Sequence, residues 1–393
     1  MNPISVTLLV VFWALGGSIE GCRSQYRKID EASSSSLHES RAGQNWRDVW
    51  TNSTVSFSSA ENVMNGLLLS ENLGEPISNK KSLQRKKLLR LFNSEFDEST
   101  EDEHAIPEAF LCFYRGELPD FVESSSSPSY RKSKYKRQSY RLDLAYRGTA
   151  FCGWQTQDKF NQDKSQRPAV QQLVEAALGG RDVRVAGRTD AGVHAVGQVA
   201  RVRCEANLSM EDLWRQLQEA SACNGNWVCR RIVPVSQSFH PTFGATSRSY
   251  VYLIDADEKL ELAFGNLKNL TCRLNALLAP LEGQCLPYSA LSYGQLKTKT
   301  SDCTLTYARA RRLRLANQPV LAIELEGDRF LRRMVRILVA SALSLAARED
   351  EFDSQSLFEL VQMRDRRKAA LPAPSEGLIF ITASYCDSHS NSG

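Results

Sequence analysis

One glycine-rich loop between two strand-like segments constrains the fold of this chain more than any other feature. The stretch Val185–Val202 reads VAGRTDAGVHAVGQVARV, and apolar residues alternate with other residues both before the loop and after Gly197. This period of two predicts a strand, a loop and a second strand. Because Gly187 and Gly192 carry no side chain, they allow the backbone to come close to a ligand.

The tip of this loop carries a carboxylate beside a guanidinium, in the order Arg188, Thr189, Asp190. An ionised aspartate in such a place can act as a nucleophile or as a general base. It can equally be a turn residue, because Asp and Gly are both common in turns. The local pattern alone leaves these interpretations open.

Composition limits the classes of protein to which the chain can belong. With 393 residues, 42% of them apolar, the chain is long enough for two domains with apolar cores. The net charge of +4 is modest, so affinity for nucleic acid must depend on where the basic residues lie. Ten cysteines include no Cys-x-x-Cys, and the five histidines show no metal-ligand spacing relative to them, so no metal site is expected.

Alternation and helical spacing predict the elements around the loop. A helix is expected from Val170, behind Pro168, to the pair Gly179 and Gly180. A second helix opens at Ser209, whose side chain can cap the first turn. Strands are predicted from residue 140 and at 183–186, 197–204, 230–235, 248–254, 304–315 and 320–326.

A third helix, predicted over residues 328–347, concentrates positive charge on one side. At 100° per residue, four arginines fall inside one stripe of about 100°, and apolar residues fill most of the remaining surface. These are Arg329, Arg332, Arg333 and Arg336. Since the stripe carries no acid, it favours a negatively charged partner over the alternative of a solvated charged face.

The N-terminal third raises separate questions. Residues 4–15 form an uncharged run of signal-peptide length, too short for a stable membrane span, and a partly basic, Ser-rich segment follows. Residues 1–36 are therefore a candidate targeting segment, with an organelle (plastid or mitochondrion) favoured over the cytoplasm. A secretory signal and a wrongly assigned gene start are the alternatives. Residues 37–137 are predicted to be a poorly ordered extension.

Three stretches resemble the tRNA pseudouridine synthase A family. Residues 186–200 are similar to its G-R-T-D-A-G-V-H signature, and Phe330–Arg336, FLRRMVR, resembles its F-x-x-x-M-V-R motif. Residues 248–252, RSYVY, resemble the strand that carries its active-site tyrosine. The resemblance runs from about Tyr140 to Tyr385, and it departs from the family pattern at Thr242, where an arginine is usual.

The resemblance implies roles for particular residues. Asp190 is expected to be the catalytic nucleophile, Arg336 to pair with it, and Tyr250 to pack on the target uracil. His194 is interpreted as a structural partner of the loop rather than as a general base.

Further substrate contacts are expected from three arginines. Arg188 would hold the flipped nucleotide or its phosphate, because a base must leave the stack before an enzyme can act on it. Arg332 and Arg333, from the arginine stripe, are expected to contact the RNA.

The resemblance also implies an α+β architecture, the pseudouridine synthase fold. Two similar α/β halves, residues 138–245 and 246–386, would join their mainly antiparallel sheets around a central active-site cleft, followed by a tail at 387–393. A homodimer is implied, with no metal and no organic cofactor, and with tRNA as the substrate, at uridines 38 to 40 of the anticodon arm.

Two other classes of protein remain as alternatives. A non-catalytic tRNA-binding protein derived from this fold would keep the arginine stripe without needing Asp190. A hydrolase or phosphotransferase with an aspartate nucleophile would need metal ligands or a phosphate-binding loop, and the sequence near Asp190 carries neither a second acidic cluster nor a Walker-type loop.

Overall fold

The computed structural model describes residues 55–72, 95–96, 106–121, 137–155, 167–205, 207–294, 300–315, 318–348 and 351–385. The candidate targeting segment at residues 1–36 and the predicted tail at 387–393 lie outside the described residues.

The described strands form one ten-stranded sheet. In chain order they are β1 (Glu95–Phe96), β2 (Arg137–Tyr146), β3 (Val183–Val185), β4 (His194–Glu205), β5 (Trp227–Val235), β6 (Ala245–Asp255), β7 (Cys285–Pro287), β8 (Asp302–Leu315), β9 (Gln318–Gly327) and β10 (Leu378–Tyr385). Across the sheet the order is β1-β8-β9-β6-β10-β4-β2-β5, with β3 paired to β4 and β7 to β8.

Eight α-helices lie in the described part of the chain. They are α1 (Ser58–Asn72), α2 (Glu108–Arg115), α3 (Val170–Ala177), α4 (Met210–Asn224), α5 (Glu258–Phe264), α6 (Leu267–Leu278), α7 (Met334–Ala346) and α8 (Ser356–Gln362). A mixed sheet with helices packed on it is an α+β architecture, so the predicted fold class is confirmed at that level.

One parallel pair of strands sits among antiparallel neighbours and determines where the site lies. The strands β10 and β4 run parallel, with Ile379 beside His194 and Phe380 beside Ala195. The other strand pairs of the described sheet are antiparallel. Because parallel neighbours begin at the same edge of a sheet, the loops that precede β4 and β10 meet there.

Most of the elements predicted around the loop are present. The strand predicted from Tyr140 is β2, and its alternating residues from Tyr140 to Tyr146 pack against α3 and α4. The N-terminus of α4 is capped by Ser209, whose side chain accepts a hydrogen bond from the backbone N–H of Asp212 at 3.0 Å. The strands predicted at 304–315 and 320–326 correspond to β8 and β9, which pair in antiparallel orientation.

The prediction of a helix over residues 328–347 is wrong at its start. The helix α7 begins at Met334, and Arg333 before it has φ 60° and ψ 10°, a left-handed conformation. This conformation is disfavoured for a residue with a Cβ by roughly 1–2 kcal/mol. The turn interrupts the helix, although the helical spacing of apolar residues continues through it in the sequence. Consequently Arg329, Arg332 and Arg333 do not share a helical face with Arg336.

The prediction that residues 37–137 are a poorly ordered extension is wrong for two helices in that range. The helices α1 and α2 bury an apolar surface against one face of the sheet, opposite the face covered by α3 and α4. On these helices Met64, Leu67, Phe110 and Phe113 are each at most 1% exposed. Burying side chains of this size is worth roughly 1.5–3 kcal/mol each, which explains why the helices are held on the sheet.

The start of α1 is fixed by a carboxylate from the end of β6. Asp255 accepts hydrogen bonds from the backbone N–H groups of Ser58 and Ser59 at 2.9 and 2.8 Å, and from the hydroxyls of Ser56 and Ser58. Burial acts to raise the pKa of Asp255, but the hydrogen bonds from these serines outweigh it, and the pKa is lowered. The sheet therefore supplies the N-terminal cap of a helix that precedes it in the chain.

Candidate active site

The glycine-rich loop, residues 187–193, lies against the segment that leads into β10. At Gly192, where φ is +84°, an added Cβ would come within 2.3 Å of the Ser375 hydroxyl oxygen. No other residue fits this place without displacing the neighbouring segment. The close approach brings the loop before β4 and the loop before β10 together at the edge of the sheet.

Hydrogen bonds from the first half of the chain hold the loop in place. The backbone N–H of Trp154 donates to the carbonyl of Thr189 at 3.1 Å, and the hydroxyls of Tyr146 and Thr189 are hydrogen-bonded at 2.8 Å. The Gln198 amide donates to the carbonyl of Gly187 at 2.8 Å. Trp154 is only 1% exposed and belongs to the apolar core. The loop is therefore anchored at Gly187 and Thr189, on the N-terminal side of Asp190.

Two guanidinium groups face the carboxylate of Asp190. Arg336, at the start of α7, donates from a terminal nitrogen to the Asp190 Oδ2 atom at 3.5 Å. The Nε atom of Arg333 lies 3.8 Å from the same oxygen. The Asp190 side chain remains 30% exposed, so the carboxylate is paired and still accessible to a ligand.

Arg336 is fixed by its environment as well as by its charge. Its Nε donates to the carbonyl of Ala373 at 2.6 Å, and the backbone N–H of Ala373 donates back to the carbonyl of Arg336 at 3.1 Å. Burial lowers the pKa of Arg336, and the negative charge of Asp190 acts in the opposite direction. An arginine stays protonated in proteins, so a rigidly held positive charge faces the carboxylate.

The left-handed turn at Arg333 is what brings a second guanidinium to Asp190. The Arg333 guanidinium lies 4.1 Å from the centre of the Tyr293 ring, a cation–π distance. The structure thus places Arg333 beside the catalytic candidate, whereas the sequence predicted an RNA contact on a helix face. A non-glycine residue in this conformation is uncommon, and such residues cluster at functional sites.

Tyr250 lies next to the loop, on β6. Its ring packs edge-to-face on Phe330 and Phe380, with centroid distances of 5.1 and 5.0 Å. Its hydroxyl lies 3.8 Å from the place that a Cβ on Gly187 would take. Burial is the main cause that raises the pKa of Tyr250, and the charge of Asp190 adds to the rise, so the phenol is neutral at neutral pH.

The other predicted substrate contacts are two exposed arginines. Arg188 and Arg332 are exposed, and Arg332 lies 5.5 Å from the centre of the Tyr293 ring. Arg329 donates to the carbonyl of Thr300 at 3.2 Å. The Thr242 hydroxyl, at the position where an arginine is usual in the family, donates to the Val185 carbonyl at 2.6 Å. The roles of these residues toward RNA stay predictions.

His194, the last residue of the sequence motif, is fully buried beneath the loop. Its Nδ1 accepts a hydrogen bond from the backbone N–H of Gly148 at 3.2 Å. Burial lowers the pKa of His194 to about 4, so the ring is neutral at neutral pH. A neutral ring that accepts a backbone hydrogen bond agrees with the predicted structural role in the loop.

Sequence reasoning missed two residues of the site. Tyr293 stacks on Arg333, and the Ala373 carbonyl anchors Arg336. Tyr293 lies in an irregular segment without a motif, and a backbone carbonyl has no signature in the sequence. Ala373 does lie in the stretch LPAPSEG, directly before the last strand. The two prolines of that stretch indicate a fixed turn, and this is the signal that the sequence offers.

The described ranges contain neither a cluster of metal ligands nor a helix that could span a membrane. Within them, no group of three or more His, Cys, Asp or Glu side chains is arranged to hold a metal ion. None of the helices there combines the length and the apolar character that crossing a membrane requires.

Comparison with known proteins identifies the family. The family model described as tRNA pseudouridine synthase matches residues 289–386. The tRNA pseudouridine synthase A of Pseudothermotoga lettingae is 30% identical over 249 residues, which cover 62% of this chain and 97% of that protein. The chain belongs to the tRNA pseudouridine synthase A family.

Other members of the tRNA pseudouridine synthase A family match to the same extent. Those of Porphyromonas gingivalis and Chloroflexus aurantiacus are each 31% identical, over 62% of this chain and over 95% and 87% of their own lengths. Among solved structures, a Cbf5-Nop10-Gar1 complex is similar over 66% of this chain and 55% of the other, with 12% identity and a TM-score of 0.25. That likeness is too low to carry an argument.

Proposed function

We propose that this chain converts uridine to pseudouridine in the anticodon arm of tRNA, at uridines 38 to 40, with Asp190 as the nucleophile. Membership of the family makes the chain a tRNA pseudouridine synthase, an isomerase that acts on tRNA. One observation carries the assignment of the site. The accessible Asp190 carboxylate is paired with Arg336 at 3.5 Å and lies 3.8 Å from Arg333.

The reaction exchanges one bond to the ribose for another within the same nucleotide. The glycosidic bond between N1 and C1′ breaks, the uracil turns, and a bond forms between C1′ and C5. The C5 hydrogen leaves as a proton and N1 takes up a proton, so the product is an isomer of the substrate. Asp190 would attack C1′ or C6, or promote elimination at the sugar, and all three routes need an ionised, oriented carboxylate.

The two arginines orient this carboxylate. A guanidinium presents its N–H donors in a fixed plane, so the bond from the Arg336 Nε to Ala373 fixes the direction of its terminal nitrogens. Arg333 approaches the same Oδ2 atom through its Nε. With both positive charges near Oδ2, the other oxygen, Oδ1, is the one available to the substrate.

The remaining residues serve the flipped nucleotide. An aromatic ring beside the loop suits packing on uracil, because stacking on aromatic side chains is how many RNA-binding sites hold unpaired bases. Tyr250 supplies that ring in this proposal. Arg188 and Arg332, both exposed, supply positive charge to the phosphates.

Three finer features belong to the same proposal. The chain would consist of two similar halves, residues 138–245 and 246–386, around a central cleft, and the pairing of β4 with β10 supports a joined sheet. It would act as a homodimer, which a measurement of its mass in solution tests. Residues 1–36 would direct it to an organelle, which the location of a fluorescent fusion in cells tests.

The choice of uridines is tested with tRNA labelled with tritium at C5. The chain is incubated with a transcript that has uridines at positions 38 to 40 and with a matched transcript that has cytidines there. We expect release of tritium from the first transcript and none from the second. Equal release from both would overturn the anticodon-arm assignment, and binding without release from either would favour a non-catalytic tRNA-binding protein.

A further inference from the structure

The helix α1 packs against β2 and against β4, the strand that follows the glycine-rich loop. It precedes the segment from Tyr140 to Tyr385 that resembles the family, and it turns two polar residues toward the chain after β2. These are Glu61 and Asn65, four residues apart and therefore neighbours on one side of the helix. The Asn65 amide oxygen accepts a hydrogen bond from Arg147 at 3.1 Å.

Glu61 contacts three residues next to the loop. Its Oε1 accepts a hydrogen bond from the Thr149 hydroxyl at 2.9 Å and lies 3.8 Å from the Nε of Arg147. Its Oε2 lies 3.5 Å from the Nε2 of His194. One carboxylate from the N-terminal region thus joins the turn after β2 to the last residue of the sequence motif.

The contact between Glu61 and His194 joins two complementary groups. Because the His194 Nδ1 accepts a hydrogen bond from Gly148, the proton of the neutral ring lies on Nε2. Nε2 and the Glu61 Oε2 are both buried, and neither makes a hydrogen bond of ordinary geometry with the described residues. The backbone carbonyl of Glu376 is a further hydrogen-bond acceptor for the same imidazole, and it acts to raise the pKa of His194. The ring therefore presents its N–H within reach of the Glu61 carboxylate.

A short series of contacts leads from there to the nucleophile. A Cβ on Gly148 would lie 2.1 Å from the carbonyl oxygen of Val193, so the turn after β2 lies directly against the loop. The backbone N–H of Val193 in turn donates to the carbonyl of Asp190 at 3.2 Å. These contacts connect the turn after β2 to the backbone of Asp190.

We propose that Glu61 is a positioning residue for the reaction, and that it acts through Thr149 and His194 to hold the Asp190 loop in its catalytic geometry. This inference rests on the proposed function of Asp190. The contacts of Glu61 are with Thr149, Arg147 and the buried His194 ring, so it acts on the rate of the chemical step and not on tRNA binding. A residue outside the segment that resembles the family thus completes the support of the active site.

The same helix offers a matched control. Glu71 lies nearly three turns further along α1 and pairs with Arg230 of β5 at 3.1 Å. Glu61→Gln and Glu71→Gln remove the same charge from the same helix, and each weakens a contact to an arginine. In each variant one carboxylate oxygen becomes an amide nitrogen, which cannot accept a hydrogen bond. Only in Glu61→Gln does this change remove an acceptor next to Thr149 and His194.

The experiment measures tritium release from C5-labelled tRNA by wild type and both variants, with kcat and KM determined separately. We expect Glu61→Gln to lower kcat by about tenfold or more, the effect of losing a hydrogen bond to a charged group. KM for tRNA should stay within about twofold of wild type. Glu71→Gln should keep kcat near the wild-type value. Equal kcat values for the two variants, or a change confined to KM, would overturn the proposal.

A second pair of variants leaves Glu61 in place. Thr149→Val removes the hydroxyl that donates to Glu61, and Thr149→Ser keeps it, so kcat should fall in the first and recover in the second. This pair decides the matter if Glu61→Gln does not fold, and equal kcat values for the two would count against the proposal. An inactive wild-type chain would instead contradict the proposed function, which keeps the two failures apart.

Discussion

Burial separates two roles for arginine in this site. Arg336 is largely buried, with its side chain 14% exposed, and it is held between Asp190 and Ala373. Arg332 is exposed, and its guanidinium lies 5.5 Å from the centre of the Tyr293 ring. A phosphate contact releases counterions from the RNA, whereas an internal ion pair does not. The two residues should therefore respond differently to salt.

We expect Arg332→Ala to weaken tRNA binding and to reduce the slope of log affinity against log salt by a little under one unit, about 0.7–0.9. Arg336→Ala should leave that slope unchanged and lower kcat about ten- to a hundredfold, because a charge-assisted contact to the carboxylate is lost. Affinity at several salt concentrations and kcat for both variants measure this. Equal salt slopes with equal kcat values would show that the pairing with Asp190 has no catalytic importance.

The buried imidazole of His194 predicts how stability depends on pH. Burial lowers its pKa to about 4 in the native state, against an ordinary value of about 6.5 in the unfolded chain. Between these values the unfolded chain binds more protons, so the free energy of unfolding should fall as the pH drops from about 6.5 to about 4, by roughly 3 kcal/mol in all.

Denaturant unfolding at pH 7.0, 5.5 and 4.5 measures this fall in wild type and in His194→Asn, which lacks the titrating ring. An asparagine oxygen can take the place of Nδ1 as the acceptor for Gly148. We expect the variant to lose less stability than wild type over this range. The same pH dependence in both proteins would mean that His194 does not titrate in this window.

At the scale of elements, the sequence predicts a helix best where its period is not interrupted. The strand β2 and the helices α3 and α4 correspond to the alternation, the apolar spacing and the Ser209 cap. The predicted start of α7 fails because neither proline nor glycine marks the left-handed turn at Arg333. That conformation depends on tertiary contacts, such as the one with Tyr293, which a helical period cannot encode.

The helix α1 was missed although its sequence carries a signal. Its buried residues recur three and four positions apart, as the core face of an amphipathic helix does. They are Ala60, Val63, Met64, Leu67 and Leu68. The pattern spans fewer than three turns among Ser-rich and charged segments. In such a setting the burial of a helix depends on the sheet face that receives it, and that face is formed from residues much later in the chain.

Two leucines on α1 test whether this helix belongs to the folded core. Leu67 is 1% exposed and Leu69 is 62% exposed. We expect Leu67→Ala to lower the free energy of unfolding by about 2–5 kcal/mol, because it opens a cavity against the sheet. Leu69→Ala should change it by less than about 0.5 kcal/mol. Similar small effects from both variants, measured by denaturant unfolding, would mean that α1 does not pack on the sheet in solution.

At the scale of the whole molecule, residues far apart in sequence meet where β4 and β10 run in parallel. The pairing of Asp190 with Arg336 was predicted because both lie in motifs of the family. The contact of Glu61 with His194 was not, because no motif or period relates two residues that are separated in the chain by three strands and two helices. The sequence therefore predicts which groups react, whereas the structure is needed to identify the residues that contact them.

We propose that the Asp190 carboxylate, which faces two guanidiniums, carries out the isomerisation of uridine. The most direct measurement compares tritium release from C5-labelled tRNA by wild type and by Asp190→Asn, with tRNA binding measured in parallel. We predict that the variant binds tRNA nearly as well as wild type, because Asp190 contributes little attraction to a polyanion, and that it releases no tritium. Release within about tenfold of wild type, a difference of only about 1.4 kcal/mol in the barrier, would contradict the assignment of Asp190 as the nucleophile.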